Sequence, residues 1–101
     1  VKYSKKLSRV LIVRRVVGDS MLPTLKPGQI VVASSFVKLI DGGIVVALLH
    51  EGREVVKRLF IDETSNSFVI CGDNPEHSTD YTDDQIIEVY GGLLWPRRVQ
   101  T

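Results

Sequence analysis

The sequence predicts a mainly β fold built from antiparallel strands, and three observations predict it. The chain of 101 residues holds 15 Val and 8 Ile but only 2 Ala, and β-branched side chains pack well on pleated surfaces while losing rotamer freedom in helices. Apolar runs recur at short intervals between Gly, Pro, Asp and Asn, which is a strand-and-turn pattern. Two of the interruptions, Asp41-Gly42-Gly43 and Glu51-Gly52-Arg53, have the residues that reverse a chain. With 44% apolar and 25% charged residues, the composition describes one globular domain over residues 1–101 and excludes a two-domain enzyme and a disordered chain.

The elements follow in order. Strands are predicted over Ser8 to Val17, Gln29 to Phe36, Ile44 to His50, Glu54 to Ile61, Ser67 to Cys71 and Ile86 to Trp95. Between the first two lies Gly-Asp-Ser-Met-Leu-Pro-Thr-Leu-Lys-Pro-Gly. Its Ser20 can start a short helical turn, with Pro23 tolerated in the first turn and Pro27-Gly28 closing it. Trp95-Pro96 is expected to pack the closing strand, with an apolar patch for a membrane or partner as the other use of those residues.

A single cysteine, Cys71, cannot form an internal disulfide, and with only His50 and His77 beside it no structural zinc site can be assembled. Cys71 reads as a core residue, and neither a metal nor a cofactor is expected. The longest uncharged stretch, Pro27 to Val37, spans eleven residues, well below the ~18–20 apolar residues of a membrane-spanning helix. The expectation is a soluble, cytoplasmic protein. The chain starts at Val1, so a processed start and a removed upstream anchor both stay open, the latter making it the extracytoplasmic part of a membrane-anchored protein.

Near-neutral charge (+1) hides an asymmetry: Lys2 to Arg15 holds six cations, whereas Asp73 to Glu88 holds six acids and no Lys or Arg. Two solvated, mutually attracting faces account for this. Nucleic acid is not the expected partner, because no aromatic residues are interleaved with the cations as stacking platforms. A membrane surface or protein partner is the remaining use of the basic stretch.

Glu54 to Ile61 alternates Val55, Lys57, Leu59 and Ile61 on one face with Val56, Arg58 and Phe60 on the other. A lysine among three apolar neighbours is unusual, because burying an ammonium is costly unless it is paired or loses its proton. Desolvation lowers a lysine pKa, which is how a lysine becomes a general base near neutral pH. A lysine on an edge strand, with its stem packed and its head in water, has the same periodicity.

Three segments together decide how Lys57 is read. Gly18-Asp19-Ser20-Met21-Leu22-Pro23-Thr24-Leu25 looks like a Ser-Met-x-Pro-Thr nucleophile box. Val56-Lys57-Arg58-Leu59 looks like a general-base box, and Gly72-Asp73-Asn74-Pro75-Glu76-His77-Ser78-Thr79-Asp80 like a Gly-Asp-Asn-x-x-x-Ser-x-Asp box. In this order they resemble the Ser/Lys-dyad peptidases of the type I signal peptidase and LexA superfamily, and the third box is one that LexA-type proteins do not share.

The resemblance implies the small antiparallel β fold of that superfamily, with Ser20 as nucleophile and Lys57 as the base that takes its proton. A serine hydroxyl is a weak nucleophile until a base accepts its proton, and a neutral lysine can replace the His/Asp pair of a triad. Ser20 at the start of a turn keeps its own N–H free to stabilise an oxyanion. Some signal peptidases add a serine hydroxyl two residues earlier; Gly18 stands there, so backbone donors would serve, and Met21 supports the box. By the same resemblance Ser78 orients the lysine and Asp80 pairs with Arg58. The family usually continues Ser-Arg after that aspartate, whereas this chain has Tyr81-Thr82. Asp19 reads as a cap or surface residue and His77 as a loop residue.

The implied activity is a serine endopeptidase that cuts a signal, leader or propeptide after small residues through an acyl-enzyme, its extended substrate adding to a sheet edge. The expected partner is a peptide or precursor protein, with a membrane involved only if an upstream anchor has been removed, and the sequence leaves the oligomeric state open. Only 14 residues separate Lys57 from Gly72, too few for the extra β domain of larger signal peptidases. This resembles compact maturation proteases such as those that trim the nickel superoxide dismutase precursor. Two other readings are a LexA-like self-cleaving regulator, for which only 19 residues precede Ser20, and an inactive peptide-binding module on the same scaffold.

Overall fold

A computed structural model describes residues 11–96. The strands are β1 (Leu11–Arg15), β2 (Ile30–Ser34), β3 (Ile44–Leu49), β4 (Glu54–Asp62), β5 (Ser67–Cys71), β6 (Tyr81–Thr82) and β7 (Ile86–Trp95). They form one sheet in the order β1-β2-β7-β3-β4-β5-β6, and every neighbouring pair is antiparallel. Each strand predicted from the sequence is present within a few residues of its expected ends. Residues 8–10 of the first lie outside the described residues.

The sheet curls because its central strands are interrupted. Register shifts fall between Val32 and Ala33 in the β2–β7 pairing, and between Val46 and Ala47 and between Leu48 and Leu49 in the β3–β7 pairing. Such bulges bend a strand and increase its twist. Gly91 sits at the tightest point of this bend. A Cβ there would lie 2.3 Å from the Ser34 carbonyl oxygen, so only glycine lets β7 approach β2 so closely. The curl brings Arg14 of β1 onto Glu54 of β4, although three strands separate them in the sheet.

Curling explains why β3 reads as an uninterrupted apolar run, Ile44-Val45-Val46-Ala47-Leu48-Leu49. Its odd-numbered residues Val45, Ala47 and Leu49 pack with Leu59, Phe68, Ile70, Tyr81, Ile86 and Val89. Its even-numbered residues face the other way, Ile44 toward Val16, Met21, Leu25 and Val31, and Val46 toward Ile12, Ala33 and Tyr90. A strand covered on both faces has no polar side to alternate with. Leu25, Leu59 and Ile70 are fully buried, and each such side chain stabilises the fold by about 1.5–3 kcal/mol relative to exposure.

The short helical turn predicted at Ser20 is present as a run of turns with a single i to i+4 bond, Leu25 N–H to the Met21 carbonyl at 2.9 Å, and Pro23, which has no N–H, and Pro27-Gly28 leave too few consecutive donors to extend it. Strand β4 lies between β3 and β5, so Lys57 stands on an interior strand and not on an edge. The structure departs from the sequence reading at two places. Cys71 is only partly buried, at the end of β5 rather than inside the core. Trp95 is 53% exposed and does not pack the closing strand: beyond Gly92, β7 has passed the end of its pairing with β3 and keeps β2 alone as neighbour.

Candidate active site

The segment that carries Ser20 is a loop tied at its base and plugged from below. Val16 closes it by donating to the Gln29 carbonyl and accepting from the Gly28 N–H, both at 2.8 Å. Met21 and Leu25 are buried beneath it at 1% and 0% exposure, which leaves Ser20 on the opposite side. Gly18 has φ +79°, a left-handed conformation that glycine adopts without a Cβ penalty. This is how the sequence turns the chain from β1 toward Ser20.

Lys57 reaches the same point from β4. Its Nζ lies 2.5 Å from Ser20 Oγ, and the residue is 7% exposed. Burial pushes the Lys57 pKa below the ordinary lysine value by stripping water from the ammonium, and the nearby Arg53 charge pushes it the same way. Asp80 and Cys71 act in the opposite direction. The Ser20 N–H donates to no group among the described residues. A hydroxyl, a lysine whose charge is disfavoured and an open backbone donor therefore meet in one place.

The loop after β5 is clipped onto the Ser20 segment by its own first residues. Asn74 donates through its N–H to the Ser20 carbonyl at 2.8 Å and through Nδ2 to the Asp19 carbonyl at 3.0 Å. Asp73 accepts from Thr24 Oγ1 at 2.5 Å and from Arg58 Nε and Nη2 at 2.8 and 2.7 Å. Hydrogen bonding to Asp73 strengthens the hold of Arg58 on its proton. The remaining arm of Arg58 donates to the Gly42 carbonyl at 2.6 Å. A Cβ on Gly72 would stand 2.4 Å from the Ser20 carbonyl oxygen and 2.5 Å from Ser78 Oγ, so the two segments touch through this glycine.

Here the roles implied by resemblance are redistributed. The carboxylate on Arg58 is Asp73, not Asp80. Arg58 is the register partner of Cys71, and Asp73, two residues further on, emerges on the Arg58 side. Asp80 lies instead beside the Cys71 thiol, whose pKa is raised first by burial and then by Asp80. Ser78 Oγ accepts from the Gly72 N–H at 2.7 Å and makes no hydrogen bond to Lys57 among the described residues. Tyr81, which stands where the resembled family usually has serine, is buried, and its hydroxyl accepts from Arg53 Nη2 at 2.6 Å. His77 Nδ1 and Asp19 Oδ2, both on exposed side chains, meet at 2.8 Å and add a clip between the two loops. Sequence reasoning assigned no role to Thr24, Arg53, Gly72, Asp73 or Asn74. Four of these stood inside the quoted boxes, but only the folded register shows what each one touches.

Ser20 and Lys57 open into a cleft of about 560 Å3. Val16, Val46, Val55 and Val56 give it apolar walls, Gly18 and Met21 flank Ser20, and Arg53, Asp19 and His77 stand at its rim. At one end Arg14 and Glu54 form a two-bond ion pair, Nε to Oε1 at 2.5 Å and Nη2 to Oε2 at 3.1 Å. Among the described residues no group of His, Cys, Asp and Glu could hold a metal ion.

A small curled β sheet thus sets one serine against one buried lysine in a cleft. Comparison with known families matches residues 3–94 to Peptidase S24-like, and the chain belongs to that family. No curated protein matches the chain.

Proposed function

We propose that the protein is a serine endopeptidase that cuts a signal, leader or propeptide after small residues by acyl-enzyme chemistry on Ser20 and Lys57. The observation that carries this reading is the 2.5 Å approach of Lys57 Nζ to Ser20 Oγ at a lysine whose charged form is disfavoured by burial. Neutral Lys57 takes the proton of the Ser20 hydroxyl as Oγ attacks the scissile carbonyl. The tetrahedral oxyanion that forms is stabilised by the free Ser20 N–H. Lys57, now an ammonium, gives the proton to the leaving amine, and the peptide bond breaks to leave an ester on Ser20. Water then loses a proton to Lys57 and attacks the ester; as the acyl–Oγ bond breaks to release the acid, the Lys57 ammonium returns that proton to Ser20 Oγ, which restores both groups.

The valine walls of the cleft suit small apolar side chains, and an extended substrate lying along them satisfies its backbone by adding to a strand. The third box, whose first residues hold the Ser20 loop, favours the signal-peptidase-like branch over a self-cleaving regulator, and the short Lys57 to Gly72 interval favours a compact maturation protease. Incubation with a library of Ala-x-Ala peptides and precursor proteins, read by mass spectrometry, tests the reading. Cuts after Ala, Gly or Ser support it; intact peptides and precursors across the library contradict it.

A further inference from the structure

The cleft carries more positive than negative charge. Its lining sets Arg14, Arg15, Arg53 and Lys57 against Asp19 and Glu54. Arg14 takes Glu54, and His77 takes Asp19, so neither acid of the cleft meets Arg53. The carboxylate that does meet it is Glu51, which stands outside the cleft lining, on the turn before β4. That contact is a single bond of 3.1 Å between side chains 57% and 59% exposed, a pair that water screens heavily.

The Arg53 guanidinium is nonetheless held in place. Its Nη2 donates to the Tyr81 hydroxyl at 2.6 Å, and its central carbon stands 5.9 Å from the centre of the Tyr81 ring, within reach of a cation–π contact. Tyr81 is buried in the core cluster against which Val55 packs. Arg53, Val55 and Lys57 therefore share one side of the chain along β4. Arg53 Nε and Nη1 donate to no group among the described residues. A planar cation fixed through one arm, with donors to spare at the rim of a cleft, fits a carboxylate.

We propose that Arg53 binds an Asp or Glu side chain of the substrate, about four residues before the cut. This rests on the peptidase reading. Arg53 lies four positions before Lys57, about 13 Å along an extended strand. A substrate whose small residues lie against the valine walls next to the dyad brings its fourth or fifth residue before the cut level with Arg53. A basic side chain there meets like charge, and a neutral one leaves the guanidinium with Glu51 alone.

The test uses N-acetylated, C-amidated peptides that share one cleaved Ala-x-Ala sequence and carry Glu, Gln or Lys at the fourth or fifth residue before the cut. Each is given to the wild-type chain, Arg53→Gln and Arg53→Glu, with folding verified by circular dichroism. Wild type should cut the best Glu peptide about twofold to fivefold faster in kcat/KM than its Gln counterpart, the range of an exposed ion pair, and the Lys peptide more slowly than either. Arg53→Gln should erase the Glu preference, and Arg53→Glu should turn it into a preference for Lys. Ratios between peptides on one enzyme cancel any effect of the substitution on Lys57 itself. Equal cutting of all the peptides by wild type overturns this proposal and leaves the peptidase reading standing. So does a Glu preference that survives in Arg53→Gln, which would give the carboxylate to another cation. Failure of wild type to cut any peptide overturns both.

Discussion

Arg58 and Asp73 join the two halves of the candidate site through a bidentate ion pair, with bonds of 2.8 and 2.7 Å. Arg58 follows Lys57 in β4, and Asp73 also accepts from Thr24 in the Ser20 loop. One carboxylate thus fixes the position of the lysine strand relative to the serine loop. The side chains are 25% and 15% exposed, so water screens the pair only in part.

Removing either partner leaves the other charge poorly solvated. Asp73→Asn and Arg58→Ala should each cost about 1.5–3 kcal/mol, the range for hydrogen bonds to charged groups. Because they act on one pair, the double variant should lose less than the sum of the singles. Urea unfolding midpoints for the four proteins check this; strictly additive losses would show that the pair does not act as a unit.

Activity should rise with pH through the depressed pKa of Lys57, because only the neutral amine accepts the Ser20 proton. Arg53 lowers that pKa and Asp80 raises it. Arg53→Gln should therefore move the rising limb of kcat/KM to higher pH, and Asp80→Asn should move it to lower pH. Profiles of the three proteins decide it, and shifts of the opposite sign would contradict this electrostatic account.

The same shift has a consequence for stability. Folding lowers the Lys57 pKa from 10.5, so between the folded and unfolded values the unfolded chain binds more protons, and stability increases with pH across that window. Below the folded value the full cost of burying the ammonium is present. Lys57→Met should therefore be more stable than the wild type at neutral pH, with the difference shrinking as pH rises toward 10. Thermal or urea unfolding at several pH values tests this, and a difference that grows with pH would reverse the sign of the argument.

Gly72→Ala places a methyl group within 2.5 Å of both the Ser20 carbonyl oxygen and Ser78 Oγ. The loops must separate, at a cost of about 1–3 kcal/mol, and Ser20 moves with them. We expect a folded protein, by circular dichroism, whose kcat/KM falls at least tenfold. Full activity would mean that this contact does not position Ser20.

The strands were legible because alternation and Gly-rich turns are local signals, strong even where β3 is covered on both faces. β6 escaped because it has two residues, too short for any period. The serine and lysine boxes were legible as types at spacings. Their partners were not: Arg58 finds Asp73 because Cys71 is its register partner, and register belongs to the sheet rather than to either segment. Trp95 was misjudged for a related reason. An aromatic at the end of an apolar run packs only if a neighbouring strand extends that far, and β3 does not.

The most direct test of the dyad is turnover of a single cleaved Ala-x-Ala peptide by the wild type, Ser20→Ala and Lys57→Ala, followed by mass spectrometry with folding verified by circular dichroism. The account predicts that each substitution lowers kcat by roughly 10³–10⁶, the losses seen when a nucleophile or its base is removed, while the fold is retained. Wild-type turnover by either folded variant would contradict it.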